Sequence, residues 1–137
     1  MAMAMREKGY DVKAIKANEG TFTDMAFSKA FNSEEIRMPR KTDTKGLIDT
    51  LGSNGEGAYG NLTVSWKVGG KHSIFWKNEN GRTRIYDGQN GKEYTKTYSD
   101  LKLLTSNIDM NDIYYNRLDN CEPTDYALAA VEINEKK

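Results

Sequence analysis

The chain has little of several residues that would point to a function on their own. Among its 137 residues there is one histidine and one cysteine, Cys121. A single cysteine excludes an intramolecular disulfide bond, and without a cluster of cysteines and histidines we expect no structural metal site. No apolar run approaches the roughly 20 residues that cross a bilayer, so we expect no membrane partner. The opening "MAMAMREKGY" lacks the basic start and cleavage site of a signal peptide.

An excess of charge is also absent, because Lys and Arg total 20 and Asp and Glu total 20. Binding to phosphate backbones usually needs a net basic surface, so we expect no nucleic-acid partner. The one basic run, residues 37–45, is interpreted as a solvated loop. The glycine-rich stretch 52–60 lacks the lysine and the spacing of a phosphate-binding loop, and we expect no cofactor.

Hydropathy patterns predict an α+β domain that spans residues 1–137, with N-terminal helices followed by an antiparallel sheet on which helices pack. Residues 33–45 are predicted to be irregular. Helices are predicted over 1–9, 23–32, 44–52, 98–105 and 124–133. Strands are predicted over 10–17, 61–68, 71–77, 82–87 and 112–119.

The stretch 61–68 alternates apolar and polar residues, which is typical of a half-buried strand. Leu62, Val64, Trp66 and Val68 are predicted to share its buried face. The next two strands, 71–77 and 82–87, are separated by "NENG", and this spacing predicts a hairpin.

The hairpin brings the single histidine close to a carboxylate in either of two registers. A two-residue turn at Asn80 and Gly81 places His72 opposite Gln89 and diagonal to Asp87. A turn centred one residue earlier places His72 directly opposite Asp87. Directly opposed Cβ atoms are about 5 Å apart and diagonal ones about 7–8 Å, so both registers predict that His72 and Asp87 meet on one face.

Such a pair has the composition of a general base and the residue that orients it. A carboxylate on one imidazole nitrogen sets the tautomer and stabilises the imidazolium, which leaves the other nitrogen to accept a proton. Gln89 is a candidate for orienting the ring or for donating to a developing oxyanion. The alternative is a half-buried histidine whose hydrogen-bonding need is met by a neighbouring carboxylate. On spacing alone this second interpretation is favoured.

The hairpin sequence resembles the papain-fold toxin family, also called toxin glutamine deamidases. The matching residues are Trp66, Gly69, Gly70, His72, Ile74, Phe75, Gly81, Asp87 and Gln89. A second match, "AMAMREKGYDVKAI" near the start, resembles the segment that follows the "NCxxC" motif in that family. The resemblance covers most of residues 1–119 and implies a papain-like fold. It makes His72 the general base, Asp87 its orienter and Gln89 an accessory catalytic residue.

The family's nucleophile is a cysteine at the N-terminus of the first helix, where the helix dipole favours the thiolate. Alignment with the family places that cysteine a few residues before Met1. Either the domain is truncated at its N-terminus or the protein has lost its nucleophile, and in both cases we expect it to be inactive as it stands. Cys121 is a poor substitute, because it follows the histidine and the aspartate in the chain. A hydrolase based on Ser73 is also disfavoured, since neighbouring residues of a strand point to opposite faces.

The resemblance implies deamidation of a glutamine in a target protein, an immunity protein as a further partner, and delivery from a bacterium or a phage as part of a larger protein. Peptide hydrolysis and transglutamination use the same residues and stay open. So does a different class of function, a non-catalytic binding or phage structural module. For that module Tyr114, Tyr115 and Tyr126 are candidate surface residues, although aromatic residues more often pack inside strands and helices.

Overall fold

The computed structural model describes residues 7–8, 12–14, 31, 33–87, 91–122 and 131–133. Over these residues the chain is mixed α+β, as predicted. The strands and helices are β1 (Val12–Ala14), β2 (Ile36–Arg37), α1 (Thr44–Gly52), β3 (Tyr59–Ser65), β4 (Lys71–Glu79), β5 (Arg82–Tyr86), α2 (Tyr98–Asn107), β6 (Tyr114–Arg117) and β7 (Val131–Ile133).

The main sheet has five antiparallel strands in the order β2-β6-β3-β4-β5. A separate antiparallel pair joins β1 to β7. The central strand is β3, which pairs with β4 on one side and β6 on the other. The site described below lies at one end of the sheet, where β3 ends, β4 begins and the chain leaves β5.

The turn between β4 and β5 takes the first of the two predicted registers. Asn80 and Gly81 have φ angles of 56° and 74°, as a type I′ turn requires, and Glu79 pairs with Arg82. The carboxylate of Glu56 accepts hydrogen bonds from the backbone N–H groups of Asn80 and Gly81, at 2.7 and 3.0 Å. The alternative prediction, a turn centred on Glu79 and Asn80, is therefore wrong.

The hydrophobic core lies between one face of the sheet and the two helices. The period of two in the strands and the apolar positions of the helices bring these side chains together. Asp43 caps α1 by accepting from the N–H of Gly46 at 2.7 Å, and Thr97 caps α2 by accepting from the N–H of Asp100 at 3.0 Å. The core includes Leu47, Leu51, Leu62, Val64, Ile74, Trp76, Ile85, Leu101, Leu104, Ile108 and Tyr115.

The prediction of a half-buried strand over 61–68 is wrong in two respects. Asn61 and Thr63, on the face opposite the core, are also buried, so both faces of the central strand β3 are shielded from solvent. The strand ends at Ser65, and Val68 lies in the following turn with 98% of its surface exposed. The hydrogen bonds of this turn join Trp66 to Gly69 and Gly70.

Predicted boundaries elsewhere are confirmed in part. The helices over 44–52 and 98–105 correspond to α1 and α2, and Val12–Ala14 is a strand. The predicted helix 124–133 is wrong at its end, because Val131–Ile133 is a strand paired with β1, while 123–130 lie outside the described residues. Residues 33–45, predicted to be irregular, contain β2 and the start of α1. Of the predicted helices 1–9 and 23–32 the structure describes only Glu7, Lys8 and Phe31.

Candidate functional site

His72 and Asp87 meet at the end of the sheet, on the face that carries the core. His72 is the second residue of β4, and Asp87 follows the last residue of β5. The Nε2 atom of His72 lies 2.8 Å from Oδ2 of Asp87. The Asp87 side chain keeps 7% of its surface exposed and that of His72 keeps 18%, so the carboxylate is enclosed while part of the imidazole reaches solvent.

The bond assigns different roles to the two nitrogens of the imidazole. An ionised carboxylate can only accept hydrogen bonds, so Nε2 carries the proton that it donates to Asp87. In the neutral ring Nδ1 is then the nitrogen that can accept a proton. The arrangement provides a base at Nδ1 and a negative charge that stabilises the imidazolium formed by proton transfer.

Two aromatic residues complete this cluster. The indole of Trp66 stacks on the imidazole, with ring centroids 5.5 Å apart and an interplanar angle of 27°. The hydroxyl of Tyr94 donates to Oδ2 of Asp87 at 3.2 Å, the same oxygen that accepts from His72. Burial and the Asp87 charge together raise the pKa of Tyr94, so its hydroxyl stays a donor at neutral pH.

Sequence reasoning gave neither aromatic residue a role in the site. The signal for Trp66 was present, because it is two residues beyond Val64, which pairs with His72, and residues two apart share a face. Tyr94 had no such signal, since it lies in the segment after β5. Its backbone N–H bonds to the carbonyl of Ile85 at 2.8 Å, a contact that local sequence does not indicate.

Residues 91–94 run back along β5 and hold Asp87 in place. The backbone N–H of Asp87 donates to the carbonyl of Lys92 at 2.8 Å, and the carbonyl of Asp87 accepts from the N–H of Gly91 at 2.8 Å. Next along the chain, Glu93 forms an isolated bridge with Tyr86.

The buried side chain of Glu93 fastens this returning segment to β5. It accepts hydrogen bonds from Arg84 at 2.7 Å, Arg82 at 2.9 Å and the Thr95 hydroxyl at 2.9 Å. Because Glu93 is directly followed by Tyr94, these ion pairs also determine where the Tyr94 ring lies. Glu93 therefore connects the stability of the edge strand to the geometry of the site.

We call the hydrogen bonds of Glu93 with Arg82, Arg84 and Thr95 the Glu93 clamp. We expect it to make the free energy of unfolding depend on pH in the acidic range. The hydrogen bond from Arg84 is the largest cause that lowers the pKa of Glu93 below its ordinary value of 4.5. A carboxyl whose pKa is lower in the folded state stabilises that state above the unfolded pKa, and the contribution is lost as pH falls through the folded pKa. Stability should therefore fall as the pH drops below about 4.5.

Urea unfolding at pH 7, 4.5 and 3 would measure this effect in the parent and in Glu93→Gln. The variant should be less stable than the parent at pH 7 and should lose less stability on acidification. Glu34→Gln, which makes the same change at an exposed residue, serves as the control. An acid-induced loss of equal size in the parent and in Glu93→Gln would show that the clamp does not contribute.

The remaining site candidates lie apart from the pair or outside the described residues. Leu118 bonds to Tyr59 at the far end of β3, and Cys121 bonds to Leu118, whereas His72 pairs with Val64 near the other end. At about 3.4 Å per residue, Cys121 is roughly 15–20 Å from His72. Ser73 faces away from the core and pairs with Thr63. Gln89 lies outside the described residues.

Among the residues that the structure describes, no group of three or more His, Cys, Asp and Glu side chains is placed to hold a metal ion. Within the same residues no helix has the length and the apolar character needed to cross a membrane. The fold and the site define a mixed α+β domain with an Asp–His pair at one end of its antiparallel sheet. Comparison of the chain with family models, with curated proteins and with solved structures finds no match.

Proposed function

We propose that this chain is the base-bearing part of a papain-like cysteine amidohydrolase that converts a glutamine side chain of a target protein to glutamate. The observation that carries the proposal is the 2.8 Å hydrogen bond from His72 Nε2 to Asp87 Oδ2. It leaves Nδ1 as a base at the partly exposed end of the sheet. The papain-like fold belongs to this proposal and rests on the resemblance of the hairpin sequence.

The proposed reaction uses His72 twice. Its Nδ1 takes the proton of a cysteine thiol, the thiolate attacks the side-chain amide carbon, and the imidazolium returns the proton to the departing ammonia. His72 then removes a proton from water, which attacks the thioester to release glutamate and the thiol. Asp87 balances the charge of the imidazolium in both steps, and Trp66 covers one face of the ring.

The nucleophile of this reaction is not Cys121, which is at the other end of β3. The proposal takes it from a cysteine ahead of Met1 in a longer chain, and as printed the chain should be inactive. One contact bears on how that segment approaches. Glu7 pairs with Lys77 at 2.5 Å, and Lys77 lies on the opposite face of β4 from His72. The added segment must therefore pass the end or the edge of the sheet.

The test extends the chain at Met1 and moves a single cysteine along the added segment, in a Cys121→Ser background. A glutamine-containing peptide is the substrate, and mass spectrometry separates deamidation from peptide cleavage and from amine transfer. At least one cysteine position should release ammonia, while the printed chain and the same extension with serine should not. Deamidation by the chain without the extension, at the rate of the extended chain, would contradict the proposal. Absence of activity at every cysteine position along the added segment would contradict it as well.

In this proposal the partners are the glutamine-bearing target protein and an immunity protein that blocks the site, with delivery from a bacterium or a phage. The alternative is a non-catalytic binding or phage structural module. Of its candidate tyrosines, Tyr115 is buried, Tyr114 is partly buried beside Arg37, and Tyr126 lies outside the described residues. A stable complex that survives His72→Ala and Asp87→Asn would support the binding module.

A further inference from the structure

The buried end of the site contains a third polar group, the Tyr94 hydroxyl, beside the base His72 and the carboxylate of Asp87 that orients it. Oδ2 of Asp87 accepts from His72 Nε2 at 2.8 Å and from the Tyr94 hydroxyl at 3.2 Å. Two donors therefore share the charge of one carboxylate oxygen. Tyr94 is buried, and its position follows from the Glu93 clamp and from its backbone bond to Ile85.

We propose that Tyr94 is a positioning residue that acts on His72 through Asp87. Its hydroxyl takes up part of the negative charge on Oδ2, the same oxygen that accepts from Nε2 of His72. The imidazolium is then stabilised less than it would be if the Tyr94 hydroxyl did not bond to Oδ2. His72 can therefore release a proton to a leaving group more readily, which a base that must also act as an acid requires.

A purely structural role for Tyr94 predicts a different outcome when the hydroxyl is removed. If the hydroxyl only kept the loop in place, its loss would loosen the Asp87–His72 bond, and His72 would hold its proton less tightly. If it shares the charge of Oδ2, its loss concentrates that charge on Nε2, and His72 would hold its proton more tightly. The two roles thus shift the His72 titration in opposite directions.

The single histidine makes this shift measurable in the chain as it exists. The Hε1 proton of His72 gives one NMR signal, followed against pH in the parent, Tyr94→Phe and Asp87→Asn. We expect the midpoint of its titration to rise by about half a pH unit in Tyr94→Phe and to fall by about one in Asp87→Asn, since one pH unit corresponds to about 1.4 kcal/mol. Tyr98→Phe, at an exposed tyrosine, should leave it unchanged.

Several charged groups near the cluster have to stay the same in this comparison. Lys92 places its ammonium 5.3 Å from the centroid of the Tyr94 ring, and Lys71 precedes His72 on β4. The phenylalanine variant keeps the ring on which Lys92 lies and changes neither lysine. A midpoint that falls in Tyr94→Phe, or does not move, would overturn the proposal.

A second measurement on the parent protein needs no variant. A Tyr94 hydroxyl proton and a His72 Hε2 proton bonded to the same oxygen are close enough for a nuclear Overhauser effect at low temperature. Observation of that effect supports the shared oxygen, and its absence with both protons visible overturns it. If Tyr94→Phe does not fold, this second measurement still tests the shared oxygen on which the proposal depends.

The catalytic part of this inference rests on the proposed function, whereas the titration does not. The cysteine-bearing chain is the extended chain that carries the added cysteine and Cys121→Ser. In it, Tyr94→Phe should move the acid limb of the pH–rate profile to higher pH, by the same amount as the midpoint of the His72 titration. A shifted midpoint in a chain that shows no amide hydrolysis would keep Tyr94 as a positioning residue and reject the amidohydrolase. Amide hydrolysis together with an unshifted His72 midpoint would support the amidohydrolase and reject Tyr94 as a positioning residue.

Discussion

Replacing His72 with alanine should lower the rate of amide hydrolysis by the cysteine-bearing chain by about 10²–10⁴-fold, the usual contribution of a general acid–base residue. The reason is geometric, since Nδ1 of His72 is the nitrogen left for proton transfer once Nε2 is bound to Asp87. The effect should appear in kcat more than in KM, because proton transfer occurs in the transition state.

Asp87→Asn provides the companion measurement. The amide is neutral and can present its NH₂ group to Nε2, which favours the wrong tautomer of the ring and removes the charge that stabilises the imidazolium. We expect a loss of about 10²–10⁴-fold, because the same change in a Ser-His-Asp triad costs about 10⁴. Ser73→Ala is a matched control, since Ser73 is next to His72 in β4 but faces away from it. Unchanged activity in His72→Ala would refute the assignment of the base.

Gly60→Ala should destabilise the fold by about 3 kcal/mol or more, the upper range for inserting atoms into a packed interior. Gly60 lies in the central strand, between Trp76 on β4 and Arg117 on β6. A Cβ atom built on Gly60 would be 1.8 Å from the carbonyl oxygen of Asn116. That oxygen belongs to the backbone of the neighbouring strand, so the strands themselves would have to separate.

Urea unfolding followed by tryptophan fluorescence would measure this effect. Gly52→Ala, at the end of α1, is the matched control, because its Cβ would meet only the Thr83 hydroxyl at 3.3 Å and alanine favours a helix. We expect a much smaller change there. Equal stabilities for Gly60→Ala and the parent would show that β3 and β6 are not as close at this point as the structure has them.

The strands and helices that could be predicted from the sequence are those whose signals are local. The period of two over 61–68, the helical spacing of Leu47 and Leu51, and the Asn80-Gly81 turn each depend on residues that are neighbours in the chain. These features also predicted that His72 and Asp87 would meet, because a hairpin with a short turn leaves few registers. The predictions of half burial for β3 and of a buried Val68 were wrong, since burial depends on what covers a strand and where it ends.

The sequence by itself determined the hairpin and the meeting of His72 with Asp87, because both follow from alternation and spacing over about twenty residues. It left two turns open, and the structure selected the one at Asn80 and Gly81. Only the tertiary structure decided that Cys121 lies at the other end of β3 from His72. It also brought Trp66 onto the imidazole and Tyr94 onto Asp87. The Trp66 contact follows from the antiparallel pairing of β3 with β4, whereas the Tyr94 contact requires residues 91–94 to run back beside β5, which no local pattern encodes.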